Sequence, residues 1–220
     1  MNKISLLFIL SVLITFSAYA QDDIKITHAP YLQNLGENEV TVVWTANKPS
    51  IGWVELAPDD GTHYYQTERP KFFNAKNGIK LTSTVHSVHM TGLKPDTRYR
   101  YRVYSQEVLS HVGWRVIYGN VAATSVYGKQ PLTFLTSDHG RQSVNFAMVN
   151  DIHGKSDVLE KLVSHCDLKK TDMFLFNGDM VSIFNNEKEI FEGFMDKATE
   201  LFASEIPMYY TRGNHETRGS

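Results

Sequence analysis

Three apolar stretches of this chain each end in polar residues whose side chains can bind a metal ion. The first stretch runs into Asp151 and His153, the second into Asp179, and the third into Asn214 and His215. In an extended backbone, residues i and i+2 point to the same side, so Asp151 and His153 present a carboxylate and an imidazole together. Carboxylates and imidazoles bind divalent cations as a mixed oxygen and nitrogen set. The pattern therefore predicts a metal site.

The elements that must position these residues alternate between strands and helices. Apolar periodicity predicts strands over 144–150, 172–177 and 207–212, with helices over 156–166 and 187–203 between them. Such alternation implies right-handed crossovers and a parallel sheet. Functional groups gather beyond the carboxyl ends of the strands in a sheet of this kind, so we expect the three motifs to converge. We expect Gly178 and Gly213 to provide sharp turns just past the sheet.

Residues 22–137 have a different pattern, with short alternating segments, frequent turn residues and almost no helical periodicity. This pattern predicts a small antiparallel β-sandwich with strands at 40–45, 52–56 and 98–104, among others. Trp44 is the predicted core tryptophan. The segment 93–101 resembles the corner of fibronectin type III domains, in which a tyrosine bonds back to the preceding turn.

Two further features complete the organisation of the chain. We expect 108–122 to form a strand followed by a long loop. The polar, turn-rich segment 137–142 predicts a boundary between a sandwich domain at 22–137 and a second domain at 143–220.

The motifs Asp151-x-His153, Gly178-Asp179 and Gly213-Asn214-His215-Glu216, in this order, resemble those of the calcineurin-like metallophosphoesterase superfamily. With a fibronectin-like domain in front, the chain resembles the purple acid phosphatase branch. The resemblance implies a multidomain fold, in which an all-β fibronectin III-like sandwich precedes the first half of an α/β metallophosphoesterase domain. It also implies a hydrolase with a small phosphate ester as substrate.

The resemblance assigns a role to each candidate site residue. Asp151 and His153 would hold one metal ion, Asp179 would bridge two ions, and the side-chain oxygen of Asn214 would bind the second. A shared carboxylate offsets the repulsion between cations about 3.5–4 Å apart. A hydroxide between the ions would attack phosphorus, and His215 would bind the phosphate and protonate the leaving oxygen.

The chain departs from the purple acid phosphatase pattern at several positions. Ser182 stands where the family has a tyrosine three residues after the bridging aspartate, and His153 stands where it usually has a glycine. These differences disfavour a purple iron chromophore and favour a generic bimetallic site for iron, zinc or manganese. The family's two later histidine motifs are not found, so we expect the chain to be an incomplete, inactive fragment. We also expect Glu216 to orient the His215 imidazole and raise its pKa.

Residues 1–20 are typical of a secretory signal peptide. A short positive start and an apolar run precede Ala18-Tyr19-Ala20, a small-residue cleavage site. We expect cleavage before Gln21 and a secreted or periplasmic protein without a stable membrane anchor.

Composition limits the remaining function classes. A net charge of -2 and the lack of a long basic run argue against a nucleic-acid partner. The main hypothesis is therefore an exported metal-dependent phosphoesterase. The alternative is a binding or adhesion module whose phosphatase half is vestigial.

Overall fold

The computed structural model describes residues 22–125 and 130–218. The predicted signal peptide at 1–20 lies outside the described residues. A β-sandwich is followed by a three-stranded parallel sheet with flanking helices. This architecture confirms the predicted fold class. Within the described residues, no helix is long and apolar enough to cross a membrane.

The sandwich is one continuous seven-stranded sheet folded into two layers, with a small hairpin beside it. Its strands are β1 (Ile26–Gln33), β2 (Glu39–Pro58), β3 (Lys71–Phe73), β4 (Ala75–Lys76), β5 (Ile79–Lys80), β6 (Thr82–Thr91), β7 (Arg98–Val112), β8 (Arg115–Ala123) and β9 (Leu132–Leu135). The first half of β2 pairs with β1 and β6, and its second half pairs with β3 and β7. The strands predicted at 40–45 and 52–56 are therefore two parts of one strand, which begins in one layer and continues into the other.

The apolar core of the sandwich lies between these layers. Trp44 is fully buried there, and its Nε1 donates a hydrogen bond to Ser105 Oγ at 2.9 Å. At the corner before β7, the hydroxyl of Tyr99 accepts a hydrogen bond from the Lys94 backbone nitrogen at 3.0 Å. The predictions of a core tryptophan and a tyrosine corner are confirmed.

The prediction of a strand and a long loop over 108–122 is wrong. β7 and β8 form a continuous hairpin there, closed by a turn at Gly113 and Trp114. Gly113 has a φ of 58°, which suits the tight turn of a hairpin. The turn lacks the Asn-Gly or Asp-Gly signal that marks most two-residue hairpins, and apolar residues continue through it.

The second half of the chain begins with β10 (Phe146–Val149), α1 (Ser156–Val163) and β11 (Met173–Asn177), and ends with β12 (Met208–Thr211) and a 3₁₀ turn (His215–Thr217). The three strands are parallel in the order β10-β11-β12, with β11 in the middle. The predicted alternation and the parallel sheet are confirmed. The core of this part contains buried side chains of the strands and of both helices, including Phe174, Phe176, Leu159 and Phe194.

The helix at 187–203, here called α2, combines two helical geometries. It has α-helical segments at Glu187–Ile190 and Asp196–Ala198, and π-helical segments at Phe191–Met195 and Thr199–Ala203. A capping box at Asn186 begins it, in which that side chain accepts a hydrogen bond from the Lys188 nitrogen at 2.9 Å.

The sandwich packs against α2 through specific contacts. The Tyr101 hydroxyl donates a hydrogen bond to the Ser204 carbonyl at 2.7 Å, and this tyrosine is fully buried. The His28 ring stacks on Phe191 with 3.6 Å between ring centroids, and its Nδ1 lies 2.8 Å from Asp196 Oδ1. The sandwich therefore contacts α2 and Ser204, the residue that follows it.

Candidate metal centre

The predicted site residues follow the carboxyl ends of three adjacent strands. Asp151 follows β10, Asp179 follows β11 and Asn214 follows β12. The backbone nitrogen of His153 donates to the Asp179 carbonyl at 3.1 Å, and that of Asp151 donates to the Gly178 carbonyl at 3.2 Å. The first two motifs are thus held side by side by their own backbone.

The third motif is tied to the second through the proposed bridging residue. The His215 backbone nitrogen donates to Asp179 Oδ1 at 2.9 Å. The rings of His153 and His215 meet edge to face, with 4.4 Å between centroids. The structure therefore brings the candidate site residues of all three motifs together, as the strand-end argument predicts.

Three of these residues have a left-handed backbone. The φ angles of Asp151, His153 and Asp179 are 57°, 52° and 53°. Such a conformation is uncommon for residues other than glycine, and a strained residue costs about 1–3 kcal/mol. The surrounding structure must offset that cost, and strain of this kind concentrates at functional sites.

The His215 imidazole is oriented by main-chain and side-chain groups that the sequence reasoning did not identify. Its Nδ1 lies 3.0 Å from the Ser182 carbonyl oxygen and 3.1 Å from Arg218 Nη1. Nδ1 must carry a proton to donate to the Ser182 carbonyl, and it must lack one to accept from Arg218, whose guanidinium only donates. The two contacts therefore favour opposite tautomers. Both contacts involve Nδ1 and restrain the ring on that side.

Arg218 could have been found from spacing, whereas the Ser182 contact could not. Residues i and i+3 lie above one another in a 3₁₀ turn, so an arginine three residues after His215 falls beside it. The Ser182 contact is made by a backbone carbonyl, which every residue type carries.

Glu216 does not orient the imidazole, so that expectation is wrong. Its side chain is 1% exposed and accepts hydrogen bonds from backbone nitrogens. The donors are Asp179 at 3.0 Å, Met180 at 2.6 Å, Val181 at 3.2 Å and Gly213 at 2.7 Å. Its position next to His215 suggests a partner for the imidazole, but the carboxylate points into the protein and binds backbone nitrogens instead.

The backbone donors also set the ionisation of Glu216. Burial opposes its charged form, but hydrogen bonds from Val181, Gly213 and Asp179 outweigh burial and lower the pKa of the carboxyl. The pKa of Tyr210 is raised, first by burial and then by the neighbouring Glu216. The carboxylate behind the site is therefore held in its ionised form.

Close helix packing supports the loop that carries His153. A β-carbon on Gly193 would lie 3.0 Å from Val181 Cγ1 and 3.3 Å from Gly154 Cα. Gly193 belongs to a π-helical segment of α2, and such segments are frequent at functional sites. The absence of a side chain at this position lets α2 contact the turn directly.

The contact between Asn214 and Asp179 tests whether the donors suit a metal ion. With the amide nitrogen facing Asp179 Oδ2 at 3.0 Å, the amide oxygen accepts from Arg218 Nη2 at 3.0 Å. With the amide turned over, its oxygen would face the carboxylate oxygen, an arrangement that a bound cation would stabilise. The donors therefore fit a metal ion in kind. Across 22–125 and 130–218, however, no three His, Cys, Asp or Glu side chains form a metal-binding group.

Two family models match the chain. Residues 28–118 match the N-terminal domain of purple acid phosphatases, and residues 144–220 match the calcineurin-like phosphoesterases. The chain therefore contains a purple acid phosphatase N-terminal domain followed by a calcineurin-like phosphoesterase region. The resemblance inferred from the three motifs is thereby confirmed.

Solved structures agree with this phosphoesterase assignment at the level of the fold. The chain is similar to a purple acid phosphatase, PPD1, from yellow lupin (Lupinus luteus) seeds, with a TM-score of 0.59 and 19% identity. That match covers 85% of this chain and 35% of the lupin chain, so the chain spans about a third of that relative.

Lower similarities involve single domains. A fibronectin type III domain of human collagen alpha-1(XX) has a TM-score of 0.32 and 15% identity, covering 58% of this chain and 98% of that domain. The FN5 domain of Drosophila Lar has a TM-score of 0.30 and 15% identity, covering 51% and 95%. These scores are too low to carry an argument. No curated protein matches the chain.

Proposed function

We propose that this protein is an exported metal-dependent phosphoesterase that hydrolyses small phosphate esters. The observation that carries the proposal is the convergence of Asp151, His153, Asp179 and Asn214 at one edge of a parallel sheet, beside His215. The family supports the reaction class, and the geometry supports the residue assignments.

The strand order supports the division of roles among the ligands. Asp151 and His153 would hold one ion, and Asn214 the other. Asp179 would contact both, because β11 lies between β10 and β12. Two bound ions of iron, zinc or manganese would supply Lewis-acid chemistry and an acidified water.

His215 would bind the phosphate group and protonate the leaving oxygen. The Ser182 carbonyl at 3.0 Å and Arg218 at 3.1 Å both contact Nδ1, so Nε2 is the nitrogen that would face a substrate. The contact with His153 limits rotation of the ring. The side chain is thus restrained for proton transfer without serving as a metal ligand.

Sequence features outside the described residues support the location. The positive start, apolar run and Ala18-Tyr19-Ala20 of residues 1–20 support export to the periplasm or the medium, with cleavage before Gln21. A net charge of -2 favours small phosphate esters over nucleic acids.

A second candidate is a binding or adhesion module with a vestigial phosphatase half. It is favoured by the incomplete set of charged ligands among the described residues. It also fits the exposed apolar tip of the β7–β8 hairpin, where Trp114 is 97% exposed and Val112 is 74% exposed.

Metal analysis and an aryl phosphate assay separate the two candidates. The product of the complete gene and the 220-residue chain are purified without chelators, each with an Asp179→Asn counterpart. We expect the complete product to hold two ions and to turn over, and Asp179→Asn to abolish both properties. We expect the 220-residue chain to bind at most one ion weakly. A complete product without metal and turnover would favour the binding module.

A further inference from the structure

Glu216 joins the turn after β11 to the turn after β12. We propose that it is a positioning residue, whose carboxylate fixes the backbone of Asp179 against that of Gly213 and Asn214. The consequence for metal binding rests on the proposed function. The geometric part of the proposal does not depend on it.

The two carboxylate oxygens have separate tasks. Oε1 accepts from the nitrogens of Met180 at 2.6 Å and Val181 at 3.2 Å. Oε2 accepts from Asp179 at 3.0 Å and from Gly213 at 2.7 Å, one donor from each turn. A carboxylate offers about four acceptor positions and no donor, so this environment matches its full capacity. The Oε2 atom is the direct link between the two turns.

Asp179 is consequently held at both ends by the same short segment. Its backbone nitrogen donates to Glu216, and its Oδ1 accepts from the His215 nitrogen at 2.9 Å. A left-handed aspartate with φ of 53° persists only if its surroundings determine it from several directions. Glu216 supplies the backbone restraint, and without it the carboxylate of Asp179 would lose its defined direction.

Glutamine is the informative replacement because it is nearly isosteric. Its single amide oxygen can serve one pair of donors, while its amide group would face the other pair. Glu216→Gln therefore leaves N–H groups of at least one turn without an acceptor, in a buried position. Glu187→Gln is the matched control, because Glu187 is an exposed glutamate in the same half of the chain.

The first measurement is amide hydrogen exchange by NMR on the metal-free chain, well below its unfolding temperature. In Glu216→Gln, we expect one pair of amides, either those of residues 180 and 181 or those of residues 179 and 213, to exchange at least about tenfold faster, because that pair loses its acceptor. The β11 amides of Phe174 and Phe176 should keep their rates. Unchanged exchange at all four amides would overturn the proposal, whether or not the protein binds metal.

The second measurement is Mn²⁺ affinity by calorimetry on the complete gene product. We expect Glu216→Gln to weaken binding about 10–100-fold, as is usual for residues that support metal ligands, and Glu187→Gln to leave it unchanged. Faster exchange with unchanged Mn²⁺ affinity would show that Glu216 has a purely structural role, and it would overturn the proposal that this residue positions Asp179 for metal binding. If the unmodified protein binds no Mn²⁺, the proposed function fails, and the exchange data alone decide the positioning. If Glu216→Gln does not fold, Glu216→Asp, which is one methylene shorter, supports the same two measurements.

Discussion

Gly213 packs directly against the carboxylate of Asp179. A β-carbon on Gly213 would lie 2.3 Å from Asp179 Oδ1 and 2.5 Å from the Asp179 nitrogen, closer than non-bonded atoms approach. Its φ is not positive, so a sharp turn is not the reason for this glycine. Gly178, with a φ of 81°, does supply such a turn. The two glycines expected to share one role therefore have different ones.

Gly213→Ala should displace Asp179 and disable the proposed site. Forcing an extra carbon into such a contact costs about 1–3 kcal/mol and shifts the backbone. We expect Mn²⁺ affinity of the complete gene product to fall at least about tenfold. Gly36→Ala is the control, since its new carbon would meet only the Glu39 side chain, at ordinary distances of 3.5 Å and 3.9 Å. Equal Mn²⁺ binding by Gly213→Ala and the control would show that the contact does not position Asp179.

Asp179→Asn should reduce activity more than Asp151→Asn. The residue that follows the central strand is proposed to contact both ions, whereas Asp151 is proposed to contact one. Turnover of an aryl phosphate and metal content, measured side by side on the complete gene product, provide the comparison. A larger loss in Asp151→Asn would mean that the bridging role has been assigned to the wrong carboxylate.

His215→Ala should slow turnover while metal content is preserved. The residue is proposed to donate a proton, and general acid catalysis typically raises the rate on the order of 10²–10⁴-fold. The loss should be greatest for esters with poor leaving groups, because a good leaving group needs no proton. Rates for a series of aryl and alkyl phosphates test this expectation. Loss of metal from His215→Ala would instead identify the imidazole as a ligand.

His86 should make the sandwich less stable in acid. The imidazole is fully buried, its Nε2 lies 2.8 Å from Ser50 Oγ, and its Nδ1 lies 3.3 Å from Asn74 Nδ2. Burial lowers the pKa of His86 to about 4 from the ordinary 6.5. Above about pH 6.5 the ring is neutral in both states and the shift has no effect. Between pH 6.5 and 4 the unfolded chain binds a proton that the folded chain does not, so stability falls as pH falls.

The expected loss is about 3 kcal/mol in total, since each pKa unit corresponds to about 1.4 kcal/mol. Urea unfolding of the parent and of His86→Gln at several pH values between 7 and 4 measures it. The variant should start less stable at pH 7 but lose less stability on acidification. Parallel pH profiles for the two proteins would show that His86 is not responsible.

Local sequence signals predicted much of the fold and the placement of the candidate site. Alternation of apolar segments was sufficient for β10, β11 and β12, and turn residues around Tyr99 were sufficient for the corner of the sandwich. The spacing of Asp151 and His153 indicated a shared direction, and the sheet rule brought the three motifs together.

The features that were not predicted depend on the backbone or on contacts distant in sequence. Glu216 accepts hydrogen bonds from backbone nitrogens, and His215 is contacted by the backbone carbonyl of Ser182. Residue types do not reveal such main-chain contacts. The residues between the two halves of β2 resemble a turn, so the sequence predicts two strands where the structure has one. The close approach at Gly213 depends on the position of Asp179, which only the folded structure supplies.

The central position of β11 has a consequence for how this architecture can diversify. The connections through α1 and α2 lie outside the sheet. Lengthening either connection therefore leaves β11 as the central strand, with the turn at Asp179 between the other two strand ends. Insertions in these connections can reshape the entrance to the site while the ligand spacing is inherited unchanged. Related chains can therefore vary the surroundings of the candidate site by loop exchange alone, without rebuilding the edge of the sheet that carries it.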